Sequence, residues 1–405
     1  MQYLTKGKGI KGSIKQSAEA FSVNEITKNG TVLRPGRIYS ALELGESEGG
    51  KFVKFVLEKH NWNTVQALEK IGRMVGRGRK SLGYAGMKDR ISSSVQLASI
   101  YGAELEKLRA LKLKDISING AWNSETGVKL GDLLGNNFDI KIEHVEGNAA
   151  QNAMATLEEL NGLMPNYFDK QRFGSRQNNA KVGLHMLAGN FRDAVLEFLL
   201  NTDNEKNAEA IEARRRLAEE MDFSKALEYF PKYLKYERKM IAYLSKYENF
   251  ANAIRILPRG IALLFVHAVE DTIFNAALDF RIEQADFGTK VYAGIGTYQF
   301  PDMGSISESG TYPVAPLIGY DTDEKYISDY ELKAMRELGI SKEMFKVKGM
   351  PELSMKGSFR CILAPVRDTN IAEEDEGGSL RIGFSLPAGS YATVLRDEIM
   401  KNGQQ

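Results

Sequence analysis

Two kinds of periodicity divide this chain, and they limit the folds open to it. Before about 190 and after about 350, apolar residues recur at every second position. Phe138, Ile140 and Ile142 alternate with Asp139, Lys141 and Glu143, and Leu380, Ile382, Phe384 and Leu386 alternate with Arg381, Gly383 and Ser385. Alternation of this kind marks half-buried strands. Lys51 to Leu57, Val95 to Ile100 and Arg360 to Val366 also read as strands. From about 190 to 350 the period lengthens. Phe191 to Leu200, Ala208 to Met221, Lys232 to Tyr247 and Leu263 to Phe280 are rich in Ala, Leu, Glu and Lys and read as helices. The expected fold is therefore α+β, with a β-rich part split by a mostly helical insertion.

Helices are expected in the first part as well. Asn63 followed by Gln66 reads as a helix start, with Val65, Leu68, Ile71, Met74 and Val75 as its apolar face and Gly76 and Gly78 ending it. Met154, Leu157 and Leu160 mark another that stops near Gly162. A chain of 405 residues is long for one core, so two domains are expected.

Composition narrows the chemistry. Cys361 is the only cysteine, which excludes an intrachain disulfide and a cysteine-built zinc site. His60, His144, His185 and His267 are far apart and lack metal-ligand spacing. Met1 to Lys15 has no apolar segment of the secretory type, and no run approaches the apolar length of a membrane span. The expectation is a cytoplasmic protein with no structural metal and no membrane partner. The net charge is only +1, so any affinity for nucleic acid must come from local charge.

That local charge is strongest from Lys70 to Arg90. The window holds seven basic residues, Lys70, Arg73, Arg77, Arg79, Lys80, Lys88 and Arg90, and one carboxylate, Asp89. Asp89 lies in Gly83-Tyr84-Ala85-Gly86-Met87-Lys88-Asp89-Arg90, just before an expected strand. Neighbouring cations favour the ionised carboxylate, and an ionised aspartate placed where polyphosphate binds is a candidate nucleophile. An aspartate in a glycine-containing loop is most often a turn or cap residue, so the segment alone does not decide its role. Gly76 to Ser81 superficially suggests a phosphate loop, but it lacks the G-x-x-x-x-G-K-[ST] spacing and nucleoside triphosphate binding is rejected.

Three further segments accompany this one. Pro165-Asn166-Tyr167-Phe168-Asp169-Lys170-Gln171-Arg172-Phe173-Gly174 packs three aromatics, two cations and two amides into ten residues. Leu386 to Arg396 reads LPAGSYATVLR, and Ile14 to Phe21 reads IKQSAEAF. Together, and in their order along the chain, the four segments resemble the TruD family of tRNA pseudouridine synthases, bracketing the chain from residue 14 to 396. Two details depart from the family pattern: Ala20 stands before Phe21, where an acidic residue is usual, and Asp169 follows Phe168, where a small residue is usual.

The resemblance implies a pseudouridine-synthase catalytic domain with a mixed, mainly antiparallel sheet, formed by 1–187 and 352–405, and an insertion domain at 188–351. It implies isomerisation of uridine in tRNA, at uridine 13 of the D-arm, without cofactor, metal or nucleotide. Asp89 matches the catalytic position. Phe21, Asn166 and Phe384 match residues that receive the flipped base. Lys15 is a candidate ion-pair partner of Asp89 or a phosphate contact, and Tyr167, Phe168 and Arg172 look like pocket wall or support. Arg77, Arg79, Lys80, Lys88 and Arg90 are candidate contacts to RNA phosphates. Periodicity alone assigns Phe384 to core packing, and the tyrosines at 229, 233, 236, 243 and 247 to helix packing. The alternative function is a non-catalytic RNA-binding protein or RNA chaperone on the same scaffold. A binder has no need of a carboxylate among its phosphate-binding cations. A methyltransferase would require a glycine-rich cofactor loop that the sequence does not offer.

Overall fold

The computed structural model describes residues 1–15, 17–287, 312–375 and 378–403. In chain order the first part gives β1 (Phe21–Ile26), β2 (Phe52–His60), α1 (Thr64–Met74), β3 (Leu82–Tyr84), β4 (Ser93–Tyr101), α2 (Leu105–Arg109), β5 (Ile116–Ser124), β6 (Gly135–Glu143), α3 (Ala149–Leu160) and β7 (Leu163–Pro165). The middle gives α4 (Asn179–Leu187), α5 (Phe191–Leu200), α6 (Ala208–Glu220), α7 (Phe223–Tyr229), α8 (Lys235–Leu244), α9 (Phe250–Arg255), α10 (Arg259–Gln284), β8 (Val314–Leu317), α11 (Asp329–Leu338) and β9 (Ser358–Cys361). The last part gives β10 (Leu363–Pro365), β11 (Arg367–Glu374), β12 (Ser379–Pro387) and α12 (Ala392–Met400).

Two compact units result. One, the sheet unit, comprises the described residues within 3–165 and 363–403 together with Tyr312, and the other, the helical unit, comprises 1–2, 166–287 and 313–362. The helical unit thus takes in the described residues of the expected insertion at 188–351 apart from Tyr312, and also residues on either side of it, including Asn166 to Arg172.

The sheet unit is built on eight strands in the order β11-β12-β6-β1-β4-β2-β5, with β3 added beside β4. Strands β1 and β4 run parallel and the other pairings in this sheet are antiparallel. Its central strands are covered on both faces. Val53, Phe55 and Leu57 meet Ala67, Leu68 and Ile71 of α1, while Val56, Val95 and Leu97 meet Leu33, Tyr39, Leu44 and Trp122. This explains why β2 and β4 read as nearly continuous apolar runs. Phe138, Ile140 and Ile142 pack with Ile382 and Phe384 against α3 and α12, as their alternation predicts.

The helix faces differ in detail from the apolar stripes. In α1 the buried positions are Thr64, Ala67, Leu68, Ile71 and Gly72, and Met74 is exposed. In α3 they are Ala149, Ala153, Thr156 and Leu160, and Met154 is exposed. Small residues let a helix approach its neighbours closely: α3 turns Ala149 and Ala153 inward and α1 turns Ala67 and Gly72 inward, and each leaves a methionine at the surface. The run from Arg360 to Val366, expected as one strand, forms parts of two: β9 pairs with β8, and β10 pairs with β7. Alternation reports which residues are half-buried but not which strand they pair with.

The core of the helical unit gathers Val182, Met186, Val195, Leu199, Leu217, Met240, Ile241, Phe265, Val266 and Ile273 with others from α4 to α11. Of the five tyrosines at 229–247, Tyr229 and Tyr243 pack against this core, whereas Tyr233, Tyr236 and Tyr247 are exposed, so helix packing accounts for two of them. One expectation about membranes is corrected. The 26 residues of α10 are long and apolar enough to cross a bilayer by length and composition. In this fold 61% of its most apolar 18-residue stretch is buried inside the unit, and the helix carries Glu270, Asp271 and Arg281 inward with it.

Candidate active site

Asp89 sits in the 85–92 loop that joins β3 to β4, which pair antiparallel. β3 fits here only because residue 83 is glycine: a Cβ there would stand 2.3 Å from the Val128 carbonyl oxygen. The Asp89 side chain is exposed. Its backbone is held from below. The Lys59 ammonium donates to the Asp89 carbonyl at 3.0 Å, and the Ser92 hydroxyl donates to the same oxygen at 2.9 Å. One residue earlier, the Lys88 N–H donates to Thr64 Oγ1 at 2.9 Å. Thr64 in turn donates to Gln96 Oε1 at 2.8 Å, and the Gln96 amide donates to the Gly86 carbonyl at 3.1 Å. A loop whose polar backbone groups are satisfied by buried side chains has few alternative conformations.

Lys88 departs from its expected role. It is buried, its ammonium lies 3.1 Å from the Glu25 carboxylate and donates to Asn136 Oδ1 at 2.6 Å. An ammonium held inside the fold by a carboxylate is not offered to phosphate. Burial raises the Glu25 carboxyl above its ordinary range, opposed by Lys88 and by the Leu97 N–H. The other basic candidates are exposed: Arg77, Arg79, Lys80 and Arg90, together with Lys70 and Arg73. Arg77 donates to the Gly102 carbonyl and Arg79 lies 3.5 Å from Glu69. Lys15 is exposed, and among the described residues its electrostatic neighbour is Glu19; no ion pair joins it to Asp89.

Phe21 and Phe384 belong to one aromatic run on the sheet. Phe384 stands opposite Phe138 across β12 and β6, their rings stacked at 5.4 Å, and Phe21 lies 6.3 Å from Phe138 on the other side. Phe384 is 1% exposed and Phe138 7%, so Phe384 is a core residue in this structure and Phe21, half-buried, is the accessible ring. Phe138 was not among the expected site residues, because its place in an alternating strand signalled only core.

In the helical unit the second segment forms a compact polar and aromatic cluster. Asn166 is buried. Its Nδ2 donates to the Cys361 carbonyl at 3.0 Å and its Oδ1 accepts from Arg360 at 2.8 Å. Arg360 also donates to the Asn166 carbonyl at 2.9 Å, and its guanidinium stacks 4.0 Å above the Phe168 ring. Phe168 meets Phe274 edge to face at 5.6 Å, while its N–H and carbonyl both bond the Asn275 amide at 2.9 Å. The Tyr167 hydroxyl donates to Asp279 at 2.6 Å, and Arg172 pairs with Asp271 at 2.9 Å. Asp271, Phe274, Asn275 and Asp279 come from one side of α10, since positions three, four and eight apart share a helix face. Burial pushes the Asp271 carboxyl up to about 6, with Arg172 restraining the shift. Arg360 is 194 residues from Asn166, and no local signal in the sequence links them. Among the described residues no group of His, Cys, Asp and Glu could hold a metal ion.

Comparison with known proteins finds relatives along nearly the whole chain. The sequence model of the family described as tRNA pseudouridine synthase D (TruD) matches residues 1–295 and 297–399. A protein of Methanopyrus kandleri named "Probable tRNA pseudouridine synthase D" is 33% identical over 356 residues, covering 87% of this chain and 86% of its own. One of the same name from Methanococcoides burtonii is 31% identical over 434 residues, covering 98% of this chain and 95% of its own. A crystal structure from Methanosarcina mazei, named "Putative tRNA pseudouridine synthase D (TruD)", superposes with a TM-score of 0.77 at 29% identity, covering 99% of this chain and 96% of that one. Family match, relatives and fold agree over nearly the whole length, and the chain belongs to the tRNA pseudouridine synthase D (TruD) family.

Proposed function

We propose that this protein isomerises uridine to pseudouridine in tRNA, at uridine 13 of the D-arm, with Asp89 as the nucleophile. The bond between uracil N1 and ribose C1′ breaks, the uracil turns, and its C5 joins C1′. The C5 proton is lost and N1 gains one, so no atom, electron or cofactor is needed from outside. The target base leaves its stack to reach the carboxylate, and an aromatic ring such as Phe21 offers it a face, worth about 1–3 kcal/mol per stacked base.

The observation that carries this reading is Asp89 itself: an exposed carboxylate on a loop whose backbone is fixed by Lys59, Ser92, Thr64 and Gln96. A catalytic group held in one geometry before substrate arrives avoids the entropy of ordering it during reaction. A binding surface gains nothing from a rigid carboxylate at this position. The family resemblance assigns Asn166 to the uracil edge. Its contacts with Arg360 and Cys361 set the direction of its amide. Phe384 supports the aromatic run from within the core, and Tyr167, Phe168 and Arg172 support the Asn166 segment.

The test is to incubate the purified protein with unmodified tRNA transcripts and map pseudouridine by carbodiimide labelling, with Asp89→Ala in parallel. Product at one D-arm position, absent with Asp89→Ala, is expected. Tight binding by both proteins with no product from either would replace the reading with a non-catalytic RNA binder.

A further inference from the structure

Lys59 is the least expected residue beneath Asp89. The side chain is fully buried near the end of β2, and its ammonium bonds a backbone carbonyl, that of Asp89. Lysine is seldom buried without a carboxylate partner, because its charge loses hydration. Lys54 and Lys88, buried in the same unit, follow that rule: Lys54 pairs with Glu46 at 2.6 Å and Lys88 with Glu25 at 3.1 Å. Lys401, buried there too, donates to the Thr5 and Gly7 carbonyls at 2.7 Å and, like Lys59, is held by backbone oxygen. Lys59 has no carboxylate within ion-pair distance among the described residues, and the charge that most favours its ammonium is that of Asp89. Burial prevails, with Lys88 adding to it, and the ammonium is pushed down to about 8.

A neutral side chain of the same length would fill this position at less cost in desolvation. What the ammonium alone supplies is a strong donor to the one carbonyl whose position sets that of the Asp89 Cα. Ser92 donates to the same oxygen from within the loop, but Lys59 ties it to the sheet.

We propose that Lys59 is a positioning residue for Asp89: its buried ammonium anchors the Asp89 carbonyl to β2 and thereby fixes where the carboxylate meets the substrate. This rests on the isomerase reading above. It assigns a task to a residue outside all four signature segments.

Lys59→Met keeps the stem and removes the donor. The full chain carrying it is compared with wild type by hydrogen–deuterium exchange of peptides covering 86–92, by single-turnover pseudouridine formation on unmodified tRNA transcripts, by tRNA affinity and by thermal melting. The expected result is exchange in 86–92 at least about tenfold faster, a rate reduced about a hundredfold, affinity within about threefold and an unchanged or higher melting temperature. Lys59→Gln, with a shorter neutral donor, is expected to show the same changes and serves if the methionine variant does not fold. Unchanged exchange in a folded variant overturns the proposal, as does a rate within threefold of wild type, or rate and affinity falling together. If wild type forms no pseudouridine, the isomerase reading fails, and the exchange measurement still decides whether Lys59 anchors the loop.

Discussion

The ammonium of Lys88 lies 3.1 Å from the carboxylate of Glu25, with side-chain exposures of 4% and 0%. The two residues come from the Asp89 loop and from β1, so this ion pair fastens the candidate catalytic loop to the middle of the sheet. Removing one partner of such a pair leaves a buried charge uncompensated, which typically costs about 3–5 kcal/mol. Lys88→Ala is expected to destabilise the protein by that amount in urea unfolding at pH 7. Glu25→Gln combined with Lys88→Met is expected to recover most of the loss, because glutamine still accepts the Leu97 N–H. A cost below about 1 kcal/mol for Lys88→Ala would mean the pair does not hold the loop.

Asp89 and Phe384 should separate catalysis from stability. Asp89 is exposed, and Asp89→Asn is expected to leave the melting temperature within about 2 °C while lowering the single-turnover rate at least about a thousandfold. Phe384 is stacked on Phe138 in the core, so Phe384→Ala should cost about 3–5 kcal/mol of stability. Melting curves measured beside the rates distinguish the two. Full stability of Phe384→Ala would contradict its placement.

Salt dependence tests the basic segment. Each lysine or arginine that neutralises a phosphate contributes close to one unit to the slope of log affinity against log salt. Lys80→Ala and Arg90→Ala are each expected to reduce that slope by about 1 in filter binding between about 50 and 200 mM salt. Lys88→Met is expected to leave the slope unchanged, since its ammonium belongs to Glu25. Equal effects of all three would place Lys88 on the RNA after all.

Asp271 predicts a pH effect of definite sign. Burial pushes its carboxyl up to about 6 in the folded chain from an ordinary value of 3.8. Between about 4 and 6 the folded state therefore holds a proton that the unfolded state has released, and this site's contribution to stability falls as pH rises. The full difference corresponds to about 3 kcal/mol. Asp271→Asn lacks the titration, so its stability relative to wild type should rise by roughly 2–3 kcal/mol from pH 4 to pH 7 in urea unfolding. A difference independent of pH would show that Arg172 compensates the buried charge fully.

Sequence made much of this visible, for local physical reasons. The alternation in β6 and β12 survives in the fold because each strand has one side in the core. Asn63 caps α1, its side chain accepting the Val65 N–H. The run Phe191–Leu200 is helical as its composition predicts. Short helices such as α7 and α9 leave no clear mark in the sequence, since six or seven residues carry too little periodicity to register. The apolar pattern ends at Leu57, but β2 continues through Glu58, Lys59 and His60, whose polarity hides the strand.

What the sequence by itself determined is the α+β class, the four ordered segments, and Asp89 as the one carboxylate in a basic window, all features of residues near one another in the chain. Tertiary structure decided which cations face solvent and which are consumed inside the fold. Lys88 and Arg90 are indistinguishable as letters, yet Lys88 pairs with Glu25 and Arg90 is exposed. It also chose the supports: Lys59 under Asp89, Phe138 between Phe21 and Phe384, and Arg360 on Asn166. Those choices depend on which distant strand or helix comes to lie alongside, and burial then sets the cost of each charge. Neither is written in any local run of residues.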